Sequence, residues 1–299
     1  MSSPSNAASL TSYFLGFKSA FQGGFNSAID PELWKLFAME VPSTAREEVY
    51  QWLGNHSKMR EWLGARIIRK LKAHEYRIKN RKFELTEEVF EDDIEDGQLA
   101  ELKPRFEDMG EEVALLPNDI LFAVLNEGKT LLGYDGVPLF STSHPVGSGV
   151  DSNYETGSAE PWILVDNRRA RRRPVIYQPR RAPRFVRKDR PTDDNMFFEG
   201  KAVYGADRRD GAGPGFWQTA FLSEDDLDAT NFDDALAQMG EIQNDEGRNL
   251  GIDPTLLITT KANRAAVNAL INVERLANGA SNPNHKRVQV VLTDLLNVA

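Results

Sequence analysis

Large apolar residues recur at helical spacing near the start of the chain. Leu10, Phe14, Phe17 and Phe21 are three or four residues apart, and the polar residues Ser12, Lys18 and Gln22 fall at other positions. This spacing places the apolar side chains on one face of an α-helix. The pattern predicts a short amphipathic helix that docks its apolar face on another part of the protein.

A second and longer helical pattern begins near residue 97. Its apolar positions are Leu99, Leu102, Phe106, Met109, Val113 and Leu116. The pattern predicts an amphipathic helix over 97–116, with Pro104 in its first turns. Because proline lacks the N–H that a helix interior needs, we expect Pro117 to break or kink the helix, and a second helix to run to Asn126.

The stretch before this helix has the character of a long extended arm. Residues 65–85 contain neither Gly nor Pro, and in an extended conformation Tyr76 and Ile78 point one way while Phe83 and Leu85 point the other. Such an arm would reach roughly 60 Å, whereas a compact domain of this length has a radius of gyration of about 19 Å. We therefore expect it to project beyond its own globule.

The remaining pattern mixes strands and helices, which predicts an α+β fold. Residues 129–158 are rich in Gly, Ser and Pro and are expected to form loops. The other predicted elements are several strands within 160–220 ("PWILV", "RPVIYQ", "RFVRK", "MFFEGKAVYG", "GFWQTAF"), a helix capped by Ser223 or Asn231 and ending near Arg248, a buried strand at 255–260, a helix at 261–279 and a strand at 287–296.

Composition excludes several classes of protein. The 299 residues are 40% hydrophobic, as in globular proteins, and include no cysteine, which excludes disulfides, thiolate metal sites and a cysteine nucleophile. No run of 18 apolar residues is present, so no membrane span is predicted. The N-terminus lacks the basic and apolar regions of a signal peptide.

Charge is strongly segregated along the chain. The net charge is −9, which disfavours general binding to nucleic acid. Residues 58–82 nevertheless hold ten basic and two acidic side chains, 84–112 hold thirteen acidic and two basic, and 168–190 hold eleven basic and one acidic. Blocks of this kind indicate charged surfaces that contact a partner.

No residue pattern predicts catalysis, a metal ion or a cofactor. The four histidines do not have ligand spacing, the acidic run at 87–97 does not follow the calcium-loop pattern, and no nucleophile elbow or phosphate-binding loop occurs. We therefore predict no enzyme activity, no catalytic residue and no cofactor.

The arginine-rich segment 168–190 allows two interpretations. Its arginines could contact phosphate groups, or they could line a strand edge and pair with the acidic blocks. The second interpretation is favoured because no nucleic-acid-binding fold accompanies the segment. A nucleic-acid-binding protein acting through 168–190 remains the alternative function.

Two tryptophans stand in an unusually polar setting. In "YQWLGNHSKMREWLG", residues 50–64, Trp52 and Trp62 each begin a Trp-Leu-Gly triplet. From the residues alone this pattern could be a ligand clamp, a short repeat or the tip of a long hairpin.

Several stretches, in order, resemble the Mu-like phage major head subunit family. They are "FQGGF" (21–25), "YQWLGNHSKMREWLGAR" (50–66), "VFEDDIEDG" (89–97), "YDGVPLFSTSHPV" (134–146), "RPVIYQPRRAPRF" (173–185), "YGADRRDGAGPGFWQTAF" (204–221) and "GIDPTLLITT" (251–260). The resemblance implies the α+β tailed-phage major capsid fold of the Hong Kong-97 type. It implies a non-enzymatic protein of the virion, assembled in the host cytoplasm, that builds an icosahedral shell around phage DNA.

The resemblance also implies a domain organisation. The expected parts are an N-arm (1–40), an E-loop (41–83), a P-domain (84–222) with a spine helix at 97–116 and a β-rich segment at 150–222, an A-domain (223–290), and a C-terminal strand (291–299) that returns to the body.

The implied partners are other copies of the chain, in hexamers and pentamers. A separate scaffold and maturation protease, a portal, a decoration protein and non-specifically enclosed double-stranded DNA are also expected, and no membrane. The E-loop of this family crosses a neighbouring subunit, which would cover both tryptophans. The candidate inter-subunit contact residues are Trp52, Trp62, Arg66, Arg69, Lys70 and Lys72 on the arm, and Glu91, Asp92 and Asp93 on the acidic surface of a neighbour.

Overall fold

The computed structural model describes residues 7–50, 53, 76–95 and 99–298, which form helices packed on two larger β-sheets, together with two small two-stranded sheets. The helices are α1 (Ala7–Ser27), α2 (Glu91–Glu95), α3 (Leu99–Asn126), α4 (Asp194–Glu199), α5 (Ala229–Glu241) and α6 (Arg264–Val267). The strands are β1 (Ala38–Glu40), β2 (Glu47–Val49), β3 (Arg77–Lys79), β4 (Arg81–Phe90), β5 (His144–Val146), β6 (Gly149–Asp151), β7 (Tyr154–Glu155), β8 (Trp162–Val165), β9 (Val175–Lys188), β10 (Lys201–Pro214), β11 (Ala220–Ser223), β12 (Leu256–Thr259) and β13 (Gln289–Leu292). None of the described helices is both long and apolar enough to cross a bilayer.

The first sheet, called here the long sheet, has the strand order β1-β9-β10-β4. β10 pairs antiparallel with both β9 and β4, and β1 joins β9 in parallel. The prediction of two separate strands within 173–188 is wrong, because β9 is one strand that contains Pro179 and Pro183. Pro183 lies at a shift in the β9–β10 register, where the ladder does not require its missing N–H.

The N-terminal helix docks as its pattern predicted, and its partner is α3 together with one face of the long sheet. Phe17 lies 4.2 Å from Phe106 of α3, measured between ring centroids, and packs edge-on against Tyr204 of β10. All three side chains are buried. Burying an aromatic side chain of this size contributes about 1.5–3 kcal/mol, so this aromatic cluster stabilises the docked position of α1.

The second sheet has the order β13-β12-β8-β11-β7 and lies in the larger hydrophobic core. All residues of β8, β11 and β12 are buried, which explains their continuous apolar sequences. The strands of the segment 150–222 are therefore divided between the two sheets. β7, β8 and β11 join β12, whereas β9 and β10 form the long sheet.

The predicted end of the spine helix at residue 116 is wrong. α3 is one helix from Leu99 to Asn126 with Pro104 and Pro117 inside it. Phe106 and Val113, before Pro117, belong to the core under the long sheet. The residues that follow, including Leu121, Phe122 and Leu125, belong to the core of the five-stranded sheet. Burial of both halves in separate cores offsets the cost of the proline.

Helix ends in the C-terminal half also differ from prediction. α5 begins after Asp228, whose carboxylate accepts from the Asn231 N–H at 2.9 Å, rather than at a cap formed by Ser223 or Asn231. The helix predicted over 261–279 ends at Asn272, because α6 is followed directly by a π-helical turn, Asn268–Asn272. There Asn282 donates to the carbonyls of Leu270 and Val273, at 2.8 Å each.

Two strand predictions are corrected as well. Met196–Phe198 lie in α4, not in a strand, and Gly200 ends this helix in the left-handed conformation with φ of 61°. The C-terminal strand ends at Leu292 rather than spanning 291–299. Beyond it, Asn126 of α3 donates to the Leu295 carbonyl at 2.9 Å and accepts from the Asn297 N–H at 2.8 Å, so side-chain bonds replace strand pairing.

Candidate functional site

The predicted contact residues of the arm fall in the segment 51–75 between β2 and β3, called here the connecting segment. Trp52, Trp62, Arg66, Arg69, Lys70 and Lys72 all lie outside the described residues. Leu53 is described and is fully buried in the larger core.

A buried hydrogen-bond network holds the base of the connecting segment. Tyr50 donates its hydroxyl to Oε1 of Gln178 at 2.5 Å and its N–H to the Tyr76 carbonyl at 2.8 Å. Gln178 in turn donates to the Ile78 carbonyl at 3.3 Å and to Asn80 Oδ1 at 3.1 Å. Since Gln178 is on β9, both ends of the segment are fixed to the long sheet. Sequence reasoning missed this network, because its members come from separate parts of the chain.

The predicted acidic surface lies at the end of β4 and in α2. Glu91, Asp92 and Asp93 form the first turn of α2, with Asp92 exposed and the other two half-buried. Within the part of the chain that the structure describes, these three carboxylates have no ion pair. Acidic residues are favourable at a helix N-terminus, which is a structural reason for part of this charge.

The preceding carboxylates of this surface are paired within the chain. Glu87 pairs with Arg105, and Glu88 lies 3.3 Å from Lys201. The hydrogen bond and charge of Glu88 raise the pKa of Lys201. The acidic surface that remains available to a partner is therefore smaller than the sequence indicated and is centred on α2.

A groove of about 220 Å³ lies between α3 and the β4–β10 strand pair. Phe83, Leu85, Val113 and Leu116 give it apolar walls, and Glu84, Glu112 and Asp119 contribute carboxylates. Burial, together with the charge of Glu112, raises the pKa of Asp119. The groove can accept apolar side chains accompanied by basic ones. No local pattern could have revealed it, since three elements form it.

The arginine-rich segment is largely tied to its own chain. Arg168 binds Asp166 at 2.7 Å and Asp253 at 3.2 Å, and Arg184 binds Asp207 at 2.9 Å. Arg173 donates to the Ala38 carbonyl at 3.2 Å, and burial lowers its pKa. These contacts are those expected of a salt-bridged strand edge. They do not favour the alternative of a phosphate-binding surface.

The described residues contain no cluster of side chains suited to a metal ion. No three carboxylate or imidazole side chains among them lie close enough together to hold a metal ion. The described features that can act on a partner are the anchored base of the connecting segment, the acidic surface and the groove.

Comparison with known proteins identifies what these surfaces belong to. The Mu-like prophage major head subunit gpT family matches residues 10–296. The chain is 35% identical to the major capsid protein of Escherichia phage Mu, over 97% of this chain and 98% of that protein.

Two solved structures of bacteriophage JBD30 are also similar. The procapsid chain matches with a TM-score of 0.83 at 34% identity, covering 97% of this chain and 99% of that one. The chain of the capsid decorated with minor capsid protein trimers matches with a TM-score of 0.79 at 31% identity, covering 90% and 92%. The predicted α+β capsid fold of the Hong Kong-97 type is confirmed. The chain belongs to the Mu-like prophage major head subunit family and is a major capsid protein, which forms the shell of a phage virion.

Proposed function

We propose that neighbouring subunits of the shell are joined by the connecting segment of one copy and the acidic surface of the next. The observation that carries this proposal is that Glu91, Asp92 and Asp93 lack ion pairs among the described residues. The sequence 58–82, which includes most of the connecting segment, holds ten basic side chains and two acidic ones. A neighbour supplies the opposite charge that each surface lacks.

The groove supports the same proposal through its apolar walls. The connecting segment interleaves its basic residues with Trp52, Trp62, Ile67, Ile68 and Leu71. A surface with apolar walls and acidic edges complements such a sequence both in hydrophobicity and in charge. Tryptophans that enter a neighbour's groove are shielded from water by the assembled shell, and buried aromatic anchors commonly dominate interfaces.

Weak individual contacts suit the assembly of a closed shell. An exposed ion pair contributes about 0.2–1 kcal/mol, so a single misplaced contact is readily reversed. Several such pairs in each subunit, repeated around the shell, give substantial cohesion. The interface therefore depends on the ionic strength during assembly.

A charge exchange tests this contact. Arg66→Glu, Arg69→Glu and Lys70→Glu together should prevent shell formation, as seen by negative-stain electron microscopy at low salt. Adding Glu91→Lys, Asp92→Lys and Asp93→Lys to the same chain should partly restore shells. The matched control, which exchanges Arg66 and Arg69 for Lys and Lys70 for Arg, keeps the charge and should assemble. Normal shells from the first variant would refute the proposal.

We further propose the domain organisation implied by the family. Residues 1–40 are the N-arm, 41–83 the E-loop, 84–222 mainly the P-domain, 223–290 the A-domain and 291–299 the C-terminal return. β8 pairs with β12, β11 pairs with β8, and β7 pairs with β11 in one sheet, which supports assigning these three strands of the segment 150–222 to the A-domain.

The proposed partners follow from the role in the shell. Copies of the chain form hexamers and pentamers, assembly uses a separate scaffold, protease and portal, and the chain itself performs no catalysis. The decoration of the JBD30 capsid by minor capsid protein trimers supports a comparable decoration partner here. The net charge of −9 is consistent with enclosing DNA without binding it specifically, because negative charge repels phosphate.

A further inference from the structure

Arg208 lies beside the proline at which α3 passes from one hydrophobic core to the other. Pro117 has no N–H, so the carbonyl of Val113, four residues earlier, cannot accept the usual helical hydrogen bond. Arg208 Nη1 donates to this carbonyl at 2.8 Å. A side chain from β10 thus supplies a donor where the helix lacks one.

The guanidinium of Arg208 is itself held in place by buried partners. Its Nε donates to Asp210 at 2.5 Å and its Nη2 donates to the Tyr177 hydroxyl at 2.7 Å. Tyr177 closes the network by donating to Asp210 at 3.2 Å, and all three side chains are buried. The register of β10 against β9 shifts between Asp207 and Arg209, and such irregularities redirect a side chain.

The residue after the proline makes a second connection at the same point. Asn118 is buried, accepts from the Trp34 N–H at 3.0 Å and donates to the Asp30 carbonyl at 2.9 Å. The Trp34 ring packs edge-on against Tyr177 at 4.7 Å. Helix α3, the long sheet and the turn at 30–34 are therefore joined around Pro117.

We propose that Arg208 is a positioning residue for shell building: it takes the place of the Pro117 amide and fixes the direction in which α3 passes from the long sheet to the five-stranded sheet. Proline usually kinks a helix interior, so the direction of the second half depends on what replaces the lost bond. A subunit that contacts neighbours at both ends needs this direction to be constant. The inference rests on the shell-forming role of the chain, but not on which residues form the subunit contacts.

The first test is a double-mutant cycle on the full unassembled chain. Urea unfolding is measured for the wild type, Arg208→Met, Pro117→Ala and the double variant. Arg208→Met should raise the unfolding equilibrium constant by roughly ten-fold more in the wild-type background than in the Pro117→Ala background, because alanine returns an N–H to the Val113 carbonyl. The loss of a partner for Asp210 is common to both backgrounds and cancels. If Arg208→Met has the same effect in both backgrounds, the Arg208 side chain does not replace the N–H that Pro117 lacks, and the proposal is wrong.

Pro104 provides the matched control because it lies in the same helix as Pro117. Among the described residues of α3, only Val113 accepts a hydrogen bond from Arg208. The effect of Arg208→Met should be the same in the wild-type and the Pro104→Ala backgrounds. If Pro104→Ala reduces the effect as much as Pro117→Ala does, general helix strengthening explains the cycle and the proposal fails.

The second test concerns the shell. Arg208→Met subunits that keep the wild-type circular dichroism spectrum should form incomplete or irregular shells in electron microscopy, under conditions in which the wild type closes. Closed shells of wild-type size would overturn the positioning role. The unfolding cycle uses unassembled chains, so its result does not depend on whether the connecting segment contacts a neighbouring subunit.

Discussion

The imidazole ring of His144 lies parallel to the indole ring of Trp217, with 4.0 Å between centroids and 7° between planes. Its Nδ1 is 2.7 Å from a carboxylate oxygen of Asp135, and its Nε2 is 3.0 Å from Oδ1 of Asn153. Asn153 is held in this orientation because its Nδ2 donates to three backbone carbonyls, including that of Leu139 at 2.8 Å. One buried histidine therefore ties the β5–β6 hairpin to the larger core.

Replacing this histidine should destabilise the subunit. His144→Phe keeps a flat ring against Trp217 but leaves Asp135 and Asn153 without their partner. Unpaired buried polar groups are costly, so the free energy of unfolding should fall by about 3 kcal/mol. Urea unfolding measures the change. Val150→Ala, at an exposed position of the same hairpin, should stay within about 0.5 kcal/mol, and a comparable loss in both variants would contradict the assignment.

The crossing of α1 and α3 should distinguish two adjacent glycines. A Cβ atom at Gly24 would lie 1.9 Å from the Glu107 carbonyl oxygen, whereas one at Gly23 meets nothing within 4 Å. Gly24→Ala should therefore destabilise the chain by about 1–3 kcal/mol through overpacking. Gly23→Ala should be neutral or stabilising by up to about 1 kcal/mol, because alanine favours the helix. Urea midpoints and the rate of limited proteolysis within α1 report both effects. Equal urea midpoints and proteolysis rates for the two variants would mean that α1 and α3 do not approach closely at Gly24.

These two glycines also show how far sequence reasoning could reach. The positions of Leu10, Phe14, Phe17 and Phe21 were sufficient to predict a docking helix, because apolar spacing is a local property. They could not identify the partner, which is set by the close contact of Gly24 with α3 from a distant part of the chain. The same limit explains the error at Pro117, where Arg208 contributes a donor from β10.

The candidate contacts were predictable to a similar extent. The opposite charge blocks were visible in the sequence, and the structure leaves Glu91, Asp92 and Asp93 without ion pairs among the described residues. The pairing of Glu87 and Glu88 with Arg105 and Lys201 depends on strand register and could not be predicted from the sequence.

The pairing of Asp166 with Arg168 should make stability depend on acidity. Burial alone would raise the pKa of Asp166, but hydrogen bonds from the Arg168 side chain and from the N–H groups of Asp253 and Arg168 outweigh it, and the pKa lies below the ordinary value. A lowered pKa stabilises the fold above the unfolded value of about 3.9 and loses that effect as pH falls through the folded value. Asp166→Asn should cost about 1 kcal/mol at pH 7, since Arg168 is partly exposed. Urea unfolding at progressively more acidic pH should show the difference in unfolding free energy between Asp166→Asn and the wild type disappearing. A difference that stays constant with pH would contradict the prediction.

Replacing the arginine cluster should reduce the stability and assembly of the subunit more than it reduces the DNA content of completed particles. The variant carries serine in place of Arg168, Arg169, Arg171, Arg172 and Arg173. It loses the bonds of Arg168 to Asp166 and of Arg173 to the Ala38 carbonyl, so its melting temperature and shell yield should fall. The amount of DNA per completed particle should stay unchanged, as measured by nuclease-protected DNA. Normal particles that have lost their DNA would instead support the nucleic-acid alternative.

Removing the connecting segment should separate folding from assembly. A deletion of residues 54–72, closed by a short glycine linker, keeps Tyr50 and Leu53, which are buried in the larger core. The base stays fixed by the Tyr50 hydroxyl on Gln178 and by the pairing of β2 with β3. The chain should therefore remain folded, with a urea midpoint close to that of the wild type.

The same deletion should form no closed shells, because it removes Trp62 and the basic residues proposed to contact the next subunit. The charge-conserving variant at Arg66, Arg69 and Lys70 is the control, since it keeps the length and the charge of the segment and should assemble. Electron microscopy after expression with the assembly partners gives the result. Normal shells from the deletion would exclude the segment from the interface, whereas a folded chain that stays unassembled would place its role between subunits rather than within one.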